Sequence, residues 1–103
     1  MIKKTSIVLT TTNTKQEAES LTKGLLDLKL AACVQIEEIN SYYVYNEKFC
    51  SELEYRLVIK TATKNYPDIE SWIKKHHTYQ LPQIIRLDIS DGLEEYIKWV
   101  HYE

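Results

Sequence analysis

The chain has 103 residues, enough for one domain spanning residues 1–103 and one modest core. Its 13 basic and 15 acidic residues give a formal charge of −2, and the basic residues are dispersed, which excludes a field that would gather nucleic acid or an anionic membrane. With only 2 Gly and 2 Pro there is no room for linkers or low-complexity tails, so nearly every residue is assigned to a regular element.

The first strand is predicted over Thr5 to Thr11, with Ile7 and Leu9 on one face and Val8 on the other. The apolar run there is limited to Ile7, Val8 and Leu9, far short of a signal-peptide core or a membrane span, so a cytoplasmic chain is expected. Thr14 and Glu17 form a capping box, in which hydroxyl and carboxylate each satisfy a free backbone N–H. The helix behind it carries Ala18, Leu21, Leu25 and Leu28 on one stripe and ends near Leu28 or Lys29.

The second strand starts at about Ala31 and turns Val34 and Ile36 inward. Glu37, Glu38 and Asn40 break the alternation, which predicts a bulge or bend before Tyr42 to Tyr45 resume it. A turn within Asn46 to Lys48 leads to the third strand, where Tyr55, Leu57 and Ile59 share one face and Arg56, Val58 and Lys60 the other. A second helix starts between Asn65 and Asp68, with Pro67 tolerated in its first turn and Ile69, Trp72, Ile73 and His76 on its buried side. Pro82 sets an extended entry to a fourth strand, Gln83 to Ile89. Asp91 with Glu94 then opens a terminal helix whose stripe is Leu93, Tyr96, Ile97 and Val100.

The order β-α-β-β-α-β plus a closing helix suits an α+β, ferredoxin-like sandwich: a four-stranded antiparallel sheet with both main helices on one face. Within it, Leu30 to Thr61 reads as two strands longer than the rest of the chain can cover. An overhanging strand pair leaves backbone donors and acceptors unpaired, and another chain usually covers such edges. An oligomer is therefore expected.

Three groups of residues go beyond this pattern. They are EAESLTKGLLDLKLAACV from Glu17 to Val34; Ser41, Tyr43 and Lys48 with VIKT from Val58 to Thr61; and His77, Tyr79 and Pro82 followed by Tyr96 and Trp99. Together, and in this order, they resemble the CutA family of divalent-cation tolerance proteins over almost the whole chain. The resemblance implies a homotrimer in which long hairpins pair between subunits, and so assigns Tyr42, Tyr43, Tyr45 and Trp99 to the subunit interface. It also implies an association with Cu²⁺ or another divalent cation, and no settled reaction.

The copper ligands proposed for relatives fall here on Thr10, His76 and Gln83. Thr and Gln replace a thiolate and a carboxylate, so both anionic donors are gone and high-affinity binding there is not expected. The remaining metal candidates are His76, His77 and Cys50. Adjacent histidines on a helix point about 100° apart and do not readily share one ion; the alternative is that His76 edges the core and His77 hydrogen-bonds within the turn. Cys50 near the hairpin tip either meets soft metal or faces a neighbouring subunit, and Cys33 acts as a small apolar side chain. Neither cysteine has CxxC spacing, and both are expected to be free thiols.

Lys60, Tyr79, Gln80 and Gln83 are candidates to line an inter-subunit cleft that takes a small ligand; the alternative for Lys60 is a solvated strand end. Two functional classes follow: a trimeric metal-tolerance protein, and a regulatory trimer binding a metabolite or partner protein in that cleft. An enzyme is not expected, since HExxH, GxSxG and phosphate-loop motifs are missing. EYRLVIKT also lacks the Gly-aromatic signature of an RNA-binding third strand.

Overall fold

The computed structural model describes residues 3–102. In chain order they form β1 (Thr5–Thr12), α1 (Lys15–Asp27), β2 (Cys33–Tyr45), β3 (Lys48–Ala62), a 3-10 turn (Thr63–Asn65), α2 (Tyr66–His76), β4 (Ile85–Ile89) and α3 (Glu94–Tyr102). The four strands make one sheet in the order β2-β3-β1-β4, with every neighbouring pair antiparallel, which is the ferredoxin-like arrangement.

Strand periodicity divides the sheet into two faces. Val8, Leu57 and Ile59 lie on one and are fully buried against Ala18, Leu21 and Leu25 of α1 and Ile69 and Ile73 of α2. Each such side chain contributes about 1.5–3 kcal/mol of burial, and this layer is the core. Ile7, Leu9, Val58 and Ile85 point the other way. There α3 closes only one end, where the Thr5 hydroxyl and His101 Nε2 share a hydrogen bond of 2.9 Å and the Lys60 ammonium sits 5.4 Å from the Tyr96 ring centre.

Local chemistry sets the element ends. The Glu17 N–H donates to the Thr14 hydroxyl at 3.1 Å, and the Glu17 carboxylate accepts from the Asn13 N–H at 3.3 Å, so the capping box forms one residue wider than expected. At the other end of α1 the Leu30 N–H reaches the Leu25 carbonyl and the Lys29 N–H reaches the Leu26 carbonyl, each at 3.0 Å, while Lys29 takes φ 58°. This is a Schellman motif built without glycine. The glycine that matters lies inside α1. A Cβ on Gly24 would stand 2.1 Å from Trp72, so α2 packs its indole directly onto the α1 backbone.

β2 and β3 outrun the body. β1 pairs with β3 only from Tyr55 to Ala62, so Lys48 to Glu54 are bonded to β2 alone. Those seven residues project by about 23 Å at the usual rise of a strand. Among the described residues, no strand pairs with the outer edge of β2 along its 13 residues. A two-residue turn closes the hairpin, with Asn46 at φ 52° and Glu47 at φ 65°. Both positions are left-handed, as a type I′ turn demands, and Glu47 occupies one of them without the freedom of glycine.

Several sequence expectations are corrected. No bulge interrupts β2: the register runs evenly from Cys33 opposite Lys60 to Tyr45 opposite Lys48. Glu37 points to the face opposite the core, Glu38 stands exposed across from Tyr55 at the rim of the body, and Asn40 lies beyond it across from Leu53, so none of them needs a bulge. His76 and Leu28 are exposed rather than part of the buried stripes, and Leu93 is exposed at the start of α3. The Asp91 carboxylate accepts from the Gly92 N–H at 2.9 Å instead of forming a box with Glu94. β4 starts at Ile85, opposite Leu9, two residues later than predicted. Cys33 is half-buried on the face opposite the core.

Candidate functional site

The segment between α2 and β4 wraps the end of β1 and is fixed there by His77. Its Nε2–H donates to the Thr11 carbonyl at 2.7 Å, and its Nδ1 accepts from the Tyr79 N–H at 3.0 Å. The ring is thereby held as one neutral tautomer with both nitrogens engaged. This places the Tyr79 hydroxyl 2.8 Å from the Glu54 carboxylate, which accepts from it. Glu54 is only 7% exposed.

Glu54 belongs to the overhang, on the face shared by Glu52 and Cys50, with Tyr43 directly across from Cys50 on β2. Between this row and the Tyr79 segment lies a cavity of ≈ 540 Å³, reached also by Thr11, Gln80 and Gln83. Its electrostatics are one-sided. Burial, and then the hydrogen bond to Glu54, push the Tyr79 hydroxyl well above the ordinary tyrosine range. Tyr43 is pushed up to about 12, chiefly by the Glu52 carboxylate. For both rings the neighbouring charged groups that contribute are acidic.

The candidate residues are thus distributed unequally. Tyr79, Gln80, Gln83 and Cys50 meet around the cavity, with Tyr43 and Tyr45 in its wall. Lys60 does not join them within the protomer; it lies at the α3 end of the sheet, facing Tyr96. Trp99 stacks on Tyr96 with ring centres 5.7 Å apart and is 41% exposed. Tyr42 points to the opposite face of the hairpin, stacked on Phe49.

His76, His77 and Cys50 do not form one centre. The His76 ring lies on Trp72, 4.1 Å between centres, and its Nδ1–H donates to the Trp72 carbonyl, whereas both nitrogens of His77 are already used. Among the described residues no group of three or more His, Cys, Asp or Glu side chains is placed to hold a metal ion. Thr10 lies fully buried on the core face with its hydroxyl unpartnered, and Gln83 lies at the cavity across the sheet. Thr10, His76 and Gln83 offer one imidazole and no anionic oxygen or sulfur, a donor set that does not fit tight copper binding.

Glu52 and Glu54 are the cavity-lining side chains that sequence reasoning missed. The signal was present, since the alternation that set Arg56, Val58 and Lys60 on one face continues backwards through Glu54 and Glu52 to Cys50.

Comparison with known proteins gives the fold its family. The profile of the CutA1 divalent ion tolerance proteins matches residues 6–103. The chain belongs to this family. The divalent-cation tolerance protein CutA of Pyrococcus horikoshii is 34% identical over 94 residues, covering 91% of this chain and 92% of that one. The CutA of Archaeoglobus fulgidus is 34% identical over 85 residues, covering 82% of this chain and 83% of its own. The solved structure of the latter, described as a periplasmic divalent cation tolerance protein, superposes with a TM-score of 0.91 over 93% of this chain and 94% of that one. None of the helices among the described residues is long and apolar enough to cross a membrane.

Proposed function

We propose that this protein is a cytoplasmic homotrimer serving tolerance of divalent metal ions, copper included, and that its own metal binding is weak. The observation that carries the reading is the family match across residues 6–103, with relatives named for divalent-cation tolerance over most of their length. The overhanging hairpin supports assembly. Tyr42, Val44 and Phe49 are 66%, 72% and 75% exposed on it, beside a β2 edge that no strand among the described residues pairs. Aromatic side chains in such numbers on an open strand pair suit a subunit interface. Weak binding follows from the donor set at Thr10, His76 and Gln83.

A strain lacking the gene should grow less well than its parent on elevated Cu²⁺, and the gene restored on a plasmid should repair the defect. Equal growth at every Cu²⁺ concentration would remove the tolerance role. Calorimetric titration with Cu²⁺ should give affinity no tighter than micromolar; a submicromolar site lost in His76→Ala would contradict the weak-binding half of the proposal.

The cavity at Tyr79 favours a second reading, a regulatory trimer that takes a small ligand in a cleft between protomers. The cavity opens beside the overhang that a neighbouring subunit would cover, and it is far larger than an ion requires.

A further inference from the structure

We propose that the cavity beside the hairpin binds a small organic cation, an alkylammonium or guanidinium group held by Glu54 and Glu52 against tyrosine faces. The inference deepens the cleft-ligand reading and rests on it.

The starting point is Glu54. A carboxylate buried to this degree is costly unless a cation or several donors compensate it. Its one hydrogen-bond donor is the neutral Tyr79 hydroxyl, and no Lys, Arg or His among the described residues forms an ion pair with it. On its face of β3, Glu54 stands between Arg56, whose guanidinium is paired with Glu37 at 2.9 Å, and Glu52, which adds a second negative charge. Glu54 and Glu52 therefore raise the affinity of the cavity for positive charge.

The walls choose the kind of cation. Tyr43, Tyr45 and Tyr79 border the same space, and aromatic faces attract ammonium and guanidinium groups through the ring quadrupole. The amides of Gln80 and Gln83 supply further acceptors for N–H groups. A divalent metal fits less well, because no three liganding side chains are grouped to hold one, and the cavity volume suits a molecule of several heavy atoms.

The test is calorimetric titration of the full chain with 1,4-diaminobutane, using 1,4-butanediol and succinate as uncharged and anionic probes of equal length, with assembly checked by light scattering in each sample. The diamine should bind, and the diol and succinate should not. Glu54→Gln should weaken diamine binding by about tenfold or more, as expected for loss of a charge-assisted hydrogen bond. If Glu54→Gln fails to fold, the exposed Glu52→Gln should still weaken binding while leaving the fold intact. Binding of succinate or the diol without the diamine would overturn the cation proposal and leave the cleft-ligand reading standing. A trimer that binds none of the three would overturn both. Diamine affinity unchanged in Glu54→Gln and Glu52→Gln would place the cation elsewhere and overturn the assignment to this cavity.

Discussion

The two halves of β3 follow one strand and behave as different materials. From Tyr55 to Ala62 the strand has β1 on one side and β2 on the other, and Leu57 and Ile59 are sealed under α1 and α2. From Lys48 to Glu54 it has β2 alone, and Phe49 and Leu53 are 75% and 47% exposed. The body holds itself together by burial that one chain completes. The overhang shows the same alternation and the same apolar residue types without a layer to meet them, so its energetics belong to whatever covers it.

Substitutions can separate the halves. Leu25→Ala, in the sealed layer, should cost about 2–5 kcal/mol of unfolding free energy, at every protein concentration. Phe49→Ser should change the protomer little, within about 0.5 kcal/mol as for exposed positions. Within the proposed trimer, however, it should lower the melting temperature increasingly as the protein is diluted, because assembly stabilises by mass action. A concentration-independent loss in Phe49→Ser would erase the distinction between body and overhang.

Gly24→Ala is expected next in size. The added Cβ meets the Trp72 indole at 2.1 and 2.2 Å, and that ring is stacked on His76, so it does not move away freely. Overpacking of this kind costs about 1–3 kcal/mol, which outweighs the gain of about 1 kcal/mol from replacing a helical glycine. A Trp72→Leu background should remove most of the penalty in a double-mutant cycle.

In the overhang the sign reverses. Glu47→Gly should stabilise by about 1 kcal/mol, since the left-handed φ of 65° no longer opposes a side chain. The denaturant midpoint should rise with an unchanged m value.

The smallest effect concerns the α3 closure. Burial lowers the affinity of His101 for a proton, and the Lys3 and Lys64 charges add to this. The unfolded chain therefore binds the proton more readily than the folded one. Stability from neutral His101 is fully present above about pH 6.5, the ordinary histidine value, and declines as pH falls toward the lowered folded value. Urea midpoints measured across that range should fall with acidity, and His101→Gln should flatten the slope.

Most of the body was legible in the sequence because its signals are local. Ile7, Val8 and Leu9 alternate, Ala18, Leu21 and Leu25 repeat at helical spacing, and Thr14 with Glu17 marks a helix start. The errors fall where a residue type was read without its tertiary cover. Glu37 and Glu38 suggested a bulge only because a continuous core was assumed along β2; the strand stays regular, with Glu37 on the face opposite the core and Glu38 exposed at the rim of the body. His76 was grouped with the stripe of α2 by spacing, yet it sits at the exposed end, lying on Trp72. At the candidate site Tyr79, Gln80 and Gln83 were found, whereas Glu54 was not, because its importance depends on Tyr79 arriving from 25 residues away. Lys60 was grouped with them by its position near a strand end; within one protomer the register puts it at the other end of the sheet, facing Tyr96.

The overhang is the feature on which the proposed assembly depends, and the mass of the particle in solution tests it most directly. Light scattering on the purified chain at micromolar concentration should give about three times the protomer mass of 12.2 kDa. A monodisperse particle of 12.2 kDa would contradict it, for the open edge of β2 and the exposed Tyr42, Val44 and Phe49 would then stand uncovered.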